Sequence, residues 1–211
     1  MLRILLVPLI LLLFAADIFS QNKKNEQQLP QICLSPAEME LFTLINEYRA
    51  RKGLPEVKLS ASLCYVAQTH AKDQDANFKQ GGRCNMHSWS DKGNWIACCY
   101  TPDHKKANCM WSKPRELTSY TGEGFEISFW STYKYPSALA QAKDILDGWK
   151  KSPGHNDVII NKSGLERCEL AGNGVGIYGE YANVWFMERI MPKSLSHVKV
   201  NDFMALRFAM N

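Results

Sequence analysis

No charge of one sign dominates this chain. Lysine and arginine number 25 against 21 aspartates and glutamates, a net charge of +4 over 211 residues. No lysine–arginine block interleaves with aromatics as a nucleic-acid surface requires, so no nucleic-acid partner is expected. No apolar run reaches the ~20 residues needed to span a bilayer. Several hydrolase signatures are missing: there is no His-Glu-x-x-His helix, no Gly-x-Ser-x-Gly elbow, and no cysteine tied to a histidine by a known motif. The cysteines lack the paired Cys-x-x-Cys spacing of a zinc ribbon. No internal repeat is found, and the order of elements shows no βαβ alternation.

What is present starts with Met1-Leu2-Arg3 and an apolar run from Ile4 to Phe14, broken only by Pro8. One positive charge, a run of this length and a small residue at Ser20 predict a secretory signal peptide over 1–20, cleaved before Gln21. The alternative, an uncleaved anchor, is disfavoured by the shortness of the run. Export to an extracellular destination is expected, or to the periplasm if the source is Gram-negative, with no stable membrane span after cleavage. A polar linker follows over 21–34, and the rest is one domain in size. Seven cysteines lie beyond the cleavage point: Cys33, Cys64, Cys84, Cys98, Cys99, Cys109 and Cys168. In an exported protein these read as disulfides, and the adjacent Cys98-Cys99 pair is awkward for one tetrahedral metal. Seven is odd, so at least one is free, blocked or paired between chains. The connectivity stays open.

Ser35-Pro36-Ala37-Glu38 reads as a capping box opening a first helix, with Leu41, Leu44, Ile45 and Tyr48 on one face and Gly53 as its stop. Ser60 caps a second helix, to about Ala76, whose apolar face carries Leu63, Val66, Ala67 and His70. From Lys79 to Tyr120 the pattern dissolves into a long cysteine-rich loop. Phe125 to Trp130 reads as a short strand, and Ser137 caps a third helix with Leu139, Ala142, Leu146 and Trp149 on one face. Ser152 then caps a short helix with Pro153 at its first position, and His155 stands on the turn. Val175 and Ile177 alternate with Gly174 and Gly176, which suggests close backbone approach, and a second strand runs from Asn183 to Ile190. Helices first and a hairpin last predict an α+β layered domain. Asn161-Lys162-Ser163 is a glycosylation sequon, relevant only in a eukaryotic secretory pathway.

Of five histidines, His70 reads as a satisfied core residue, and His104 and His197 as solvated. His87 differs: it sits in the turn Asn85-Met86-His87-Ser88-Trp89 beside Cys84. Asn46-Glu47-Tyr48-Arg49, then Gly53-Leu54-Pro55 and Leu59, resemble the opening helix and turn of the CAP superfamily of cysteine-rich secretory, antigen 5 and pathogenesis-related proteins. His87-Ser88, the run Trp149 to His155, and Gly174 to Ile177 followed by Val184 to Arg189 fall in that family's order. The Trp-x-x-Ser-Pro-Gly-His form resembles the bacterial-type branch most. The resemblance implies an α-β-α three-layer sandwich over 35–191 with a C-terminal tail over 192–211.

It also implies a cleft of two histidines and up to two acids. His155 matches the histidine of the Gly-His motif and His87 the histidine before a serine. The family's first cleft acid stands in a Gly-Glu-Asn motif, from which this chain departs. Glu126 fits it better, because Trp130-Ser131-Thr132 then fall where relatives carry a bulky and two small polar residues, and Glu123 is the alternative. The second family glutamate falls on Ser152 and is missing. His87, His155 and Glu126 can be set out as ligands for Zn²⁺ with a water in the fourth place, which would permit hydrolysis. Against an enzyme, the missing glutamate was the natural general base. The preferred expectation is a non-enzymatic module binding a metal, a small ligand, a lipid or a protein. The loop aromatics Trp89, Trp95, Tyr100 and Trp111 read either as a binding rim or as a disulfide-held mini-core, and Glu123 is expected to bind ligand beside Trp89 and Trp111 or to be simply solvated.

Overall fold

The computed structural model describes residues 31–162 and 170–188. The expected signal peptide over 1–20, most of the expected polar linker, Ser163 of the sequon, Cys168, the expected strand end at Arg189 and Ile190, His197 and the expected tail over 192–211 lie outside the described residues.

Helix α1 spans Pro36–Arg51. Ser35 caps it and Glu38 reaches back to the Ser35 backbone N–H at 2.6 Å, the reciprocal capping box. The chain leaves the helix through Gly53, whose φ of 74° favours glycine. A two-residue strand, β1 (Lys58–Leu59), leads to α2 (Ala61–Asn77), capped by Ser60. Strand β2 is Gly124–Trp130, and α5 (Ala138–Lys151) and the short α6 (Pro153–Ile159) follow it. The hairpin β3 (Leu170–Tyr178) and β4 (Tyr181–Glu188) completes the described fold. The four strands are ordered β1-β3-β4-β2; β1 runs parallel to β3, and the other pairs are antiparallel. The α+β class expected from the order of elements is thus observed.

Cross-strand partners share a face, so the register sorts the side chains. Glu126 pairs with Trp185 and Trp185 with Gly174, which places the three on one face. Helix α2 packs there: a Cβ on Gly174 or Gly176 would fall inside the backbone of Leu63–Cys64 or Ala67–Gln68. The close approach expected from these glycines is real. On the opposite face Phe129 packs edge-on against Trp149 of α5, ring centroids 6.4 Å apart, and lies over Gly148. Helices therefore cover both faces of the sheet. The core runs through Leu41, Ile45, Leu63, Val66, Ile127, Ile145, Val184 and Phe186.

Three local expectations need correction. Leu139 is exposed, and Ile145 takes the buried place beside Ala142, Leu146 and Trp149. Ser152 occupies the N-cap of α6, but its side chain makes no capping hydrogen bond. The loop from Lys79 contains two one-turn helices, α3 (Ala107–Trp111) and α4 (Lys113–Leu117). Cys84–Cys99 and Cys98–Cys109 cross-link this region, while Cys33 is exposed and Cys64 buried as thiols.

Candidate functional site

The carboxylate of Glu126 organises the site. Strand β2 aims it at α2, and it has no solvent exposure. Its Oε1 accepts a short hydrogen bond from His70 Nδ1, and its Oε2 accepts one from His87 Nδ1 at 2.9 Å. Burial alone would push this carboxyl's pKa up, but the charges and hydrogen bonds of His70 and His87 outweigh it and hold the group down at about 2. Glu126 is therefore an ionised carboxylate with both oxygens engaged.

His70 was expected in the core, and it is buried, but it is also part of this network. Its second nitrogen, Nε2, faces the Ser88 carbonyl oxygen at 2.9 Å, so each ring nitrogen stands against an oxygen. The ring stacks on Trp89 at 4.2 Å between centroids, with the planes 4° apart. The signal for this role was available in sequence. A histidine on the buried face of an amphipathic helix needs a polar partner, and Glu126 was the acid expected near the site.

The turn that carries His87 is held from several sides. The His87 N–H donates to Asn85 Oδ1 at 3.0 Å, and Asn85 N–H donates to the Tyr100 carbonyl at 2.8 Å. Gln74 Nε2 donates to the Met86 carbonyl at 2.6 Å, and the Cys84–Cys99 disulfide closes the base of the loop. With Nδ1 tied to Glu126, His87 Nε2 has no hydrogen-bond partner among the described residues.

His155 approaches from the other side. Trp149 Nε1 donates to the Ser128 carbonyl at 2.9 Å, tying α5 to the strand that bears Glu126. Tyr48 Oη donates to Asn156 Oδ1 at 2.8 Å, tying α6 to α1. The His155 ring then stands 6.4 Å from that of His87, centroid to centroid. Burial, and next the neighbouring His87, lower its pKa to about 4, with Glu126 pulling the other way. At neutral pH this imidazole is uncharged.

The three residues expected at the site thus come together, but not as three ligands. Both oxygens of Glu126 already accept from histidines, so it orients them in the way outer-shell carboxylates do. Two imidazoles bound to one tetrahedral zinc at ~2.0–2.1 Å would stand with centroids roughly 5 Å apart. The observed separation is wider. Among the described residues no group of three or more His, Cys, Asp or Glu side chains is placed to hold a metal. The donor set does not fit a preformed three-ligand zinc centre.

The remaining expectations sort as follows. Glu123 is half-buried just before β2, where its carbonyl oxygen accepts from Tyr120 Oη at 3.3 Å. Trp89 and Trp111 are each 2% exposed and Tyr100 likewise, so they form the mini-core and not an adhesive rim. The cross-links fold the loop back on itself, and Lys113, itself buried, places its Nζ 5.5 Å from the Trp89 ring. His104 is half-buried beside Tyr100, whose Oη lies 2.7 Å from His104 Nδ1, and is not simply solvated.

The family is shown directly. The model of the CAP cysteine-rich secretory protein family matches residues 42–163, more than half of the chain. This chain belongs to the CAP family. A search of curated protein sequences finds no match. Among solved structures, an outer surface protein of Borrelia burgdorferi shares the fold at 15% identity and a TM-score of 0.50, covering 76% of this chain and 98% of that one. An extracellular protein containing an SCP domain from Bacillus anthracis is 19% identical, with a TM-score of 0.49. A cysteine-rich secretory protein from Staphylococcus aureus is 13% identical, with a TM-score of 0.47. The aligned parts cover 75% and 72% of this chain, but only 45% and 38% of those two longer proteins. Among the described residues no helix is long and apolar enough to cross a membrane.

Proposed function

We propose that this chain is an extracellular, non-enzymatic binding module whose cleft engages its ligand through His87 and His155. One observation carries the reading: both oxygens of the buried Glu126 are bonded to histidines. Such a carboxylate can neither accept a proton from water nor occupy a metal's coordination shell without dismantling its surroundings. Two uncommitted imidazole faces remain, and they suit hydrogen bonding to a ligand better than turnover. The neighbour described as an outer surface protein supports the location, as do the two disulfides. Zinc would have only the two imidazoles and solvent as ligands, and the rings would have to move closer than their 6.4 Å separation, so its binding is weak.

Calorimetric titration of the protein with Zn²⁺, beside a panel of peptide and ester substrates, tests this. We expect weak zinc binding that is lost in His87→Ala and in His155→Ala, and no turnover by the parent protein. A nanomolar zinc site, or hydrolysis abolished in both variants, would overturn the proposal and restore the metal-assisted hydrolase.

A further inference from the structure

A second cavity, of about 620 Å³, lies beneath the cysteine-rich loop and is separate from the histidine cleft. Its volume is within the range of small-molecule sites. Neither His87 nor His155 lines it. Trp89 links the two: its ring stacks on His70 and packs against Trp95 and Lys113, and the residue is also part of the cavity wall. Phe78, Ala97 and the Cys84–Cys99 disulfide supply the rest of the apolar wall.

The charges around this cavity are unequal in a way that selects a ligand. Asp73 has its carboxylate engaged: Ser90 N–H donates to Oδ2 at 2.8 Å, Asn77 Nδ2 donates to Oδ1 at 2.8 Å, and the Ser90 hydroxyl donates as well. Asp91 is paired with Lys92 at 2.9 Å. Lys79 and Arg83 also line the cavity, flanking the turn at Gly81, where φ is 79°. Both are exposed, and neither has a hydrogen-bond or ion-pair partner among the described residues. Asp73 is thus buried and saturated with hydrogen bonds and Asp91 is ion-paired, whereas the two bases are exposed and unpaired among the described residues. An apolar wall beside two uncompensated cations attracts a molecule with an apolar body and a negative head.

We propose that this cavity is a second binding site, for a small amphiphilic organic anion, with Phe78 and Ala97 receiving its apolar body and Lys79 and Arg83 its acid group. Trp89 makes it a neighbour of the histidine site without being part of it.

The probe is 8-anilinonaphthalene-1-sulfonate, followed by its fluorescence, with the uncharged N-phenyl-1-naphthylamine as its partner. We expect one saturable site for the anion in the parent protein. The Lys79→Ala/Arg83→Ala double variant should weaken it roughly threefold to tenfold, the scale of two exposed charge contacts, and leave the uncharged probe unaffected. Ala97→Trp, a substitution at an exposed wall position, should obstruct both probes. His155→Ala should leave both unchanged, which separates this site from the cleft. Equal anion binding by the parent and the double variant would overturn the proposal, as would no saturable binding by the parent protein or a loss caused by His155→Ala.

Discussion

Glu126 Oε2 and His87 Nδ1 are 2.9 Å apart, and the carboxylate that makes this bond has no exposure to solvent. A buried charge of this kind is tolerated only while every partner is in place. It follows that Glu126→Gln destabilises the protein, because the amide N–H₂ must face a ring N–H that needs an acceptor. The expected loss is about 3 kcal/mol, read from urea unfolding. A variant as stable as the parent would show that the carboxylate is not tied to both histidines.

His155 makes a second, pH-dependent contribution. Its folded pKa of about 4 lies below the ordinary histidine value. Between these two values the unfolded chain takes up a proton that the folded protein does not. Stability should therefore be unaffected by this group above pH ~6.5 and should fall as pH drops from ~6.5 toward about 4. Denaturant unfolding across that range should show the slope, reduced in His155→Ala. The Glu126 contribution should persist to lower pH, fading from about 4.5 toward about 2. An unchanged slope between pH 6.5 and 4 in His155→Ala would contradict the assignment.

The sheet glycines set a steric limit. Adding a Cβ at Gly174 or Gly176 drives it into the backbone of α2, which has no side chain to swing aside. Gly174→Ala and Gly176→Ala should each cost at the upper end of the ~1–3 kcal/mol typical of overpacking. Thermal melts compared with the parent protein supply the check.

Arg49 gives a further test. Fully buried, it donates through Nε and a terminal nitrogen to the Pro55 carbonyl, and through the other to the Ile159 carbonyl at 2.6 Å and Asn161 Oδ1 at 2.8 Å. Lysine cannot reproduce that fork. Arg49→Lys should lose about 2 kcal/mol by the same unfolding measurement.

The caps at Ser35, Ser60 and Ser137, the two glycines under α2 and the Trp149-to-His155 run were all legible in sequence, because each depends on a few neighbouring residues. So was the choice of Glu126 as the acid beside His87. The helices α3 and α4 were not, since one turn is too short to show a periodicity and disulfides fix the surroundings. The burial of Trp89 and Trp111 depends on which cysteines pair, and spacing does not reveal that. His70 was placed correctly in the core, but its bond to Glu126 spans 56 residues. That one long-range contact decides whether Glu126 acts on a ligand or supports the histidines.

The most direct test is the tautomer of His87, read from long-range ¹H–¹⁵N correlation spectra at pH 8, above the ordinary imidazole pKa. The proton should reside on Nδ1, bonded to Glu126, with Nε2 bare and open to the cleft. A proton on Nε2 with Nδ1 bare would mean that Glu126 does not hold this ring, and would contradict the reading of Glu126 as a supporting residue.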